Sequence, residues 1–194
     1  VRVAAFILLG YALMVLVSAL GALSPVRLPL PEIGLLVVLY LGLSARGPLP
    51  THLGVALLLG YFTDVLGGAP RGLHALSLAV MMLVARGASS RLLVARRWQE
   101  VLVTLLASFG HGIFVAALIA PQSGGDGALA AAPIWTPGWG ERLAALPGPA
   151  IASALMAPLF FAVALRLDRR LGLTRGPRPL GARGGLGLWR DEAR

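Results

Sequence analysis

The sequence predicts an all-α, polytopic integral membrane protein of about six transmembrane helices, and three observations lead there. Hydrophobic residues make up 57% of the 194, charged residues only 13%, and the mean hydropathy is +0.82. A soluble chain carries roughly 25% charged residues and needs them to cover its surface. Apolar runs recur along the chain, separated by breaks rich in proline, glycine or arginine. Basic residues number 17, all of them arginine, against 8 acids, for a net charge of +9. They fall between and after the apolar runs rather than among stacking aromatics, which points to a membrane face and away from nucleic acid. The absence of cysteine excludes disulfides, thiolate metal sites and cysteine nucleophiles.

Residues 3–23 form a first run of 21 without a charge, enough at about 1.5 Å per residue to cross a hydrocarbon core of ~30 Å. A cleaved signal peptide is the rival reading, but its apolar core has only ~7–15 residues. Pro25, Pro29 and Pro31 then forbid a continuous helix and fit an extended interfacial connector. The second span, residues 30–45, is built on Ile33 to Ser44, and the third, 49–66, on His52 to Leu66. These apolar stretches of 12 and 15 residues rise only ~18–22 Å. They recruit flanking residues, sit where the bilayer thins, or form a re-entrant pair.

The fourth span covers residues 72–86, and a polar loop with four arginines reaches to Gln99. The fifth, 99–120, contains His111 between Gly110 and Gly112. A long Gly/Pro/Ala connector over 121–141 carries Trp135 and Trp139, whose amphipathic rings suit the headgroup level. The sixth span, 144–166, is expected to be broken by Pro158. Residues 1–170 thus read as one six-helix domain, followed over 171–194 by an arginine-rich tail whose composition argues disorder or lipid contact. Arg166, Arg169, Arg170, Arg175 and Arg178 open that basic stretch, as lipid ligands or as a solvated topology anchor.

Six spans put fourteen arginines on one side and only Arg27, Arg71 and Arg142 on the other. The rich side is cytoplasmic by the positive-inside rule, so both termini are expected there.

With that topology, polar groups gather at one outer level: Asp64 at the end of span three, Arg71 and His74 at the start of span four, His111 in span five, with Glu32 nearby. An ionisable group inside a membrane is costly and therefore a functional candidate. The plainer alternatives are that Asp64 pairs with Arg71 or caps the next helix, and that His111 is a packed core histidine with one hydrogen bond. Gly67, Gly68, Pro70 and Gly72 fit a tight hairpin, where glycine supplies positive φ and close helix approach. Small residues four apart, Ala56 with Gly60 and Ser108 with Gly112, permit helix contact in lipid.

Catalytic patterns are missing: no nucleophile elbow, no zinc-binding helix, no phosphate-binding loop. Asp64 reads as the one acid well inside a span, so no aspartate pair is expected. Nothing in the spacing of His52, His74 and His111 asks for a metal. The expectation is a non-enzymatic protein without cofactor or metal.

The residues Leu30-Pro31-Glu32-Ile33 through Tyr40, then Gly60-Tyr61-Phe62-Thr63-Asp64-Val65-Leu66-Gly67-Gly68, and Pro70-Arg71-Gly72-Leu73-His74-Ala75, resemble the rod shape-determining membrane protein family MreD. That family shows a proline-preceded second span ending in an aromatic, a third closing in Asp-Leu-x-x-Gly, and a small-residue start to the fourth. The resemblance covers about residues 28–120, while the 121–141 connector is longer than the family suggests. It implies a non-enzymatic scaffold of the bacterial inner membrane. Its partners would be MreC, RodA with its penicillin-binding transpeptidase and, indirectly, MreB, in support of lateral peptidoglycan synthesis and rod shape. It also implies a helix layout similar to the substrate-binding subunits of energy-coupling-factor vitamin transporters. That gives the rival function, with Glu32, Asp64, His74 and His111 lining an outer cavity.

Overall fold

The computed structural model describes residues 2–23, 29–44, 47–68, 70–89, 97–119, 140 and 144–171. Its six helices are α1 (Arg2–Leu23), α2 (Ile33–Ser44), α3 (Leu49–Gly67), α4 (Leu73–Ser89), α5 (Arg97–Ile119) and α6 (Pro147–Arg170). Four of them, α1, α3, α5 and α6, are long and apolar enough to cross a membrane. The other two, α2 and α4, are shorter apolar helices of 12 and 17 residues, so of the about six spans expected four are long and apolar enough to cross.

The reason α2 is short lies at its ends, where Pro31 precedes it and Gly47, at φ 109°, and Pro48 follow. Its sequence is apolar all round, and every residue from Ile33 to Gly42 is buried. A helix apolar on all faces belongs inside a bundle. It packs on α1, α3, α4, α5 and α6, and so forms the axis of the molecule. At one end of this axis the Tyr40 ring packs at a tilt against Phe6 of α1 (5.3 Å between ring centroids) and Phe161 of α6 (5.7 Å). The start of α1 and the end of α6 therefore lie at the same end of the bundle.

The third helix recruits Leu49, Pro50 and Thr51 beyond its apolar stretch, with Pro48 in extended conformation before it and Pro50 in its first turn. It ends where Gly68 takes φ 64° and its N–H bonds the Asp64 carbonyl. Against α4 it packs closely at Gly60, where a Cβ would lie 2.3 Å from the Ala75 Cα and 2.5 Å from its N. Only glycine fits there.

Two expectations for the last helix are corrected. Pro158 does not break it: α6 runs continuously from Pro147 to Arg170 with the proline inside. Arg166, Arg169 and Arg170 belong to this helix rather than to a tail, and all three are exposed. Arg169 and Arg170 sit in the last turn, where cations complement the helix dipole. The remaining tail with Arg175 and Arg178, the 121–141 connector with its two tryptophans apart from Gly140, and Arg27, Arg46, Arg91, Arg96 and Arg142 lie outside the described residues.

Candidate functional site

The polar groups collect at the end of the bundle where α2, α4 and α6 begin and α3 and α5 finish. Asp64, 1% exposed, lies one turn before the end of α3. Its Oδ2 accepts from the Gly72 N–H at 2.8 Å, and its Oδ1 accepts from the His74 N–H at 2.9 Å. The His74 ring donates from Nδ1 to the same Oδ1 at 2.8 Å. A helix start leaves its first N–H groups unpaired, and a carboxylate there satisfies them while meeting the positive end of the helix dipole. Asp64 is thus the cap of α4, supplied from the preceding helix. Among the described residues no ion pair joins it to Arg71, which is exposed.

The hairpin makes this reach possible. Gly68 turns the chain left-handed, Pro70 accepts from the Leu73 N–H at 3.2 Å, and Gly72 at φ 92° aims its own N–H back at the carboxylate. Gly67, the last residue of α3, is exposed and leaves open space around its α-carbon.

Glu32 approaches from the start of α2. Its N–H donates to Ser153 Oγ of α6 at 2.8 Å, and its Oε2 accepts from Ser108 Oγ of α5 at 3.2 Å. One turn further along α5, His111 Nδ1 stands 3.2 Å from the same Oε2. The approach is close enough for an ion pair, but neither buried ring nitrogen of His111 makes a hydrogen bond. It is 4% exposed. The expected single hydrogen bond of a core histidine is therefore missing.

The His74 and His111 rings face each other at 5.9 Å, which joins the Asp64 and Glu32 groups into one cluster spanning five helices. Two cavities flank it, one of about 260 Å³ reaching toward Met14, Val17 and Leu78, the other of about 410 Å³ toward Val115, Ala116 and Leu146. Glu32, His74 and His111 line both. Among the described residues no group of three histidine or acidic side chains is gathered closely enough to hold a metal ion.

Sequence reasoning missed a second buried acid. Asp168, 0% exposed, sits near the end of α6 and accepts a 2.8 Å bond from the Tyr40 hydroxyl. Asp64 is therefore not alone inside the bundle. The signal was present in the spacing of Ala157, Phe161, Ala164 and Asp168, a buried stripe at helical period, but the neighbouring arginines made Asp168 read as part of a basic tail. Ser153 was missed as well, being one small residue among alanines.

Compared with protein-family models, with curated proteins and with solved structures, the chain matches none.

Proposed function

We propose that the protein is a non-enzymatic membrane scaffold of the bacterial wall-elongation machinery, of the MreD kind. In this reading all six helices are counted as crossings of the inner membrane. The start of α1, with Arg2, and the arginine-rich end of α6 face the cytoplasm, and the α3–α4 hairpin lies at the outer face. Its partners are MreC, through MreC the actin-like MreB, the RodA glycosyltransferase with its penicillin-binding transpeptidase, and anionic lipids at the cytoplasmic face.

The observation that supports this best is the use made of Asp64. The residues carrying the resemblance to MreD are the ones that tie the hairpin, and the Asp64 carboxylate accepts three hydrogen bonds from Gly72 and His74. A general base needs a free lone pair aimed at substrate. A carboxylate with three donors on it holds backbone in place instead, which suits a recognition surface.

Affinity purification of the tagged chain from its host in mild detergent, with a photocrosslinking residue at the exposed Leu66, tests the reading. Recovery of MreC crosslinked at that position is expected. Absence of MreC from both the purified complex and the crosslinked products, with crosslinking active elsewhere, would sink it.

A second reading, a substrate-binding subunit of an energy-coupling-factor transporter, is favoured by the two cavities meeting at Glu32, His74 and His111. The same purification would then recover a transmembrane coupling subunit with paired ATPases.

A further inference from the structure

We infer that the Glu32–His74–His111 cluster is a binding site for a protonated primary amine carried on an apolar body. The inference uses only the donors and acceptors at this level and rests on neither reading of function.

The first step is the count of lone pairs. With the His74 Nδ1–H donating to Asp64 Oδ1, Nε2 is a bare acceptor when the imidazole is neutral. Among the described residues that atom has no partner, and neither does Glu32 Oε1. The Glu32 side chain is 29% exposed, so its carboxylate opens toward the cavities. His111 adds a buried ring to the wall of both cavities: its Nδ1 lies 3.2 Å from Glu32 Oε2, and its Nε2 has no hydrogen-bond partner among the described residues. A buried polar atom left unsatisfied is costly, and water or ligand normally removes that cost.

The second step is charge. The described residues that line the two cavities include one carboxylate and no arginine. A site with surplus lone pairs and one negative charge selects a cation that brings N–H donors. A primary ammonium has three donors, matching Glu32, His74 and His111 in number; a quaternary ammonium has none. The metal alternative is disfavoured by the spread of the ligating groups noted above.

The third step is the surroundings. Beyond the cluster both cavities are walled largely by side chains such as Met14, Leu78, Val115 and Leu146, which favour an alkyl or terpenoid body over a sugar or a peptide. Aminophospholipid headgroups and free amphiphilic amines share this chemistry.

The test uses the full-length protein in nanodiscs of phosphatidylcholine, titrated calorimetrically with n-octylammonium against empty discs. Saturable binding at one per chain is expected, weakened about tenfold or more for octyltrimethylammonium and for 1-octanol, which lack the three donors or the charge. E32Q should weaken n-octylammonium by about tenfold while leaving 1-octanol unaffected. Discs containing phosphatidylethanolamine separate the sources: a competing headgroup lowers the apparent affinity for octylammonium, and an unchanged affinity assigns the site to a free amine. Equal binding of octanol and octylammonium would overturn the inference, as would unsaturable binding or an unaltered affinity in E32Q. The comparison among the three probes needs only the native chain, so it decides the matter even if E32Q does not fold.

Discussion

Asp64 is a charged residue whose value lies in what it does to backbone. Removing its buried carboxylate takes the acceptor from the exposed Gly72 and half-buried His74 N–H groups, and hydrogen bonds to a charged group are worth roughly 1.5–3 kcal/mol. Asp64→Ala should therefore cost about 2–3 kcal/mol in reversible unfolding in detergent, and Asp64→Asn, which keeps one acceptor oxygen, about half as much. An Asp64→Ala protein as stable as the parent would show that the cap is not needed. This residue was legible in the sequence because donor and acceptor sit within ten positions and glycines mark the turn between them. The Glu32–Ser153 and Tyr40–Asp168 bonds join residues 121 and 128 positions apart, and no local pattern carries such a pairing. Glu32 could be seen as an acid beside an apolar run though its partner could not be named, and Asp168 was hidden among arginines.

Between helices, close approach depends on what has no side chain. At Gly60 an added methyl would press on the Ala75 backbone, which cannot swing aside as a side-chain end can. Gly60→Ala should force α3 from α4 and cost about 1–3 kcal/mol, whereas Gly54→Ala, with open space around it, should be neutral or slightly stabilising. Thermal unfolding of the two variants side by side checks this, and equal melting temperatures would contradict it. The two helices also show where sequence reading reaches its limit. The lengthening of α3 to Leu49 follows from Pro48 and Pro50, which favour a helix start. The continuity of α6 through Pro158 goes against proline's intrinsic cost, and packing of Ala154, Ala157 and Phe161 into the core holds the helix together around it. For α2 the sequence suggested bilayer thinning or a re-entrant path. Sheathed by five other helices, α2 has most of its surface covered by protein, so its rise of about 18 Å need not match the lipid.

At the scale of the molecule, the alternation of six helices sets the hairpin cluster at one end and the Tyr40–Asp168 pair at the other. The native absence of cysteine makes the disposition across a membrane directly measurable, since each introduced thiol is the only one. In intact cells Arg71→Cys should react with a membrane-impermeant maleimide, and Arg170→Cys only after permeabilisation; the reverse pattern would invert the proposed orientation. The order of synthesis gives the Asp64 bonds a further meaning. As α3 emerges from the ribosome and meets the insertion channel, its carboxylate has no partner, because the donors follow eight and ten residues later. An unpaired aspartate weighs against release into lipid by up to ~2.5–3.5 kcal/mol, and α3 is the least hydrophobic of the four long helices. If the chain inserts as proposed, the third helix is a reluctant passenger until residue 74 has followed it into the channel, which favours release of α3 and α4 as a pair.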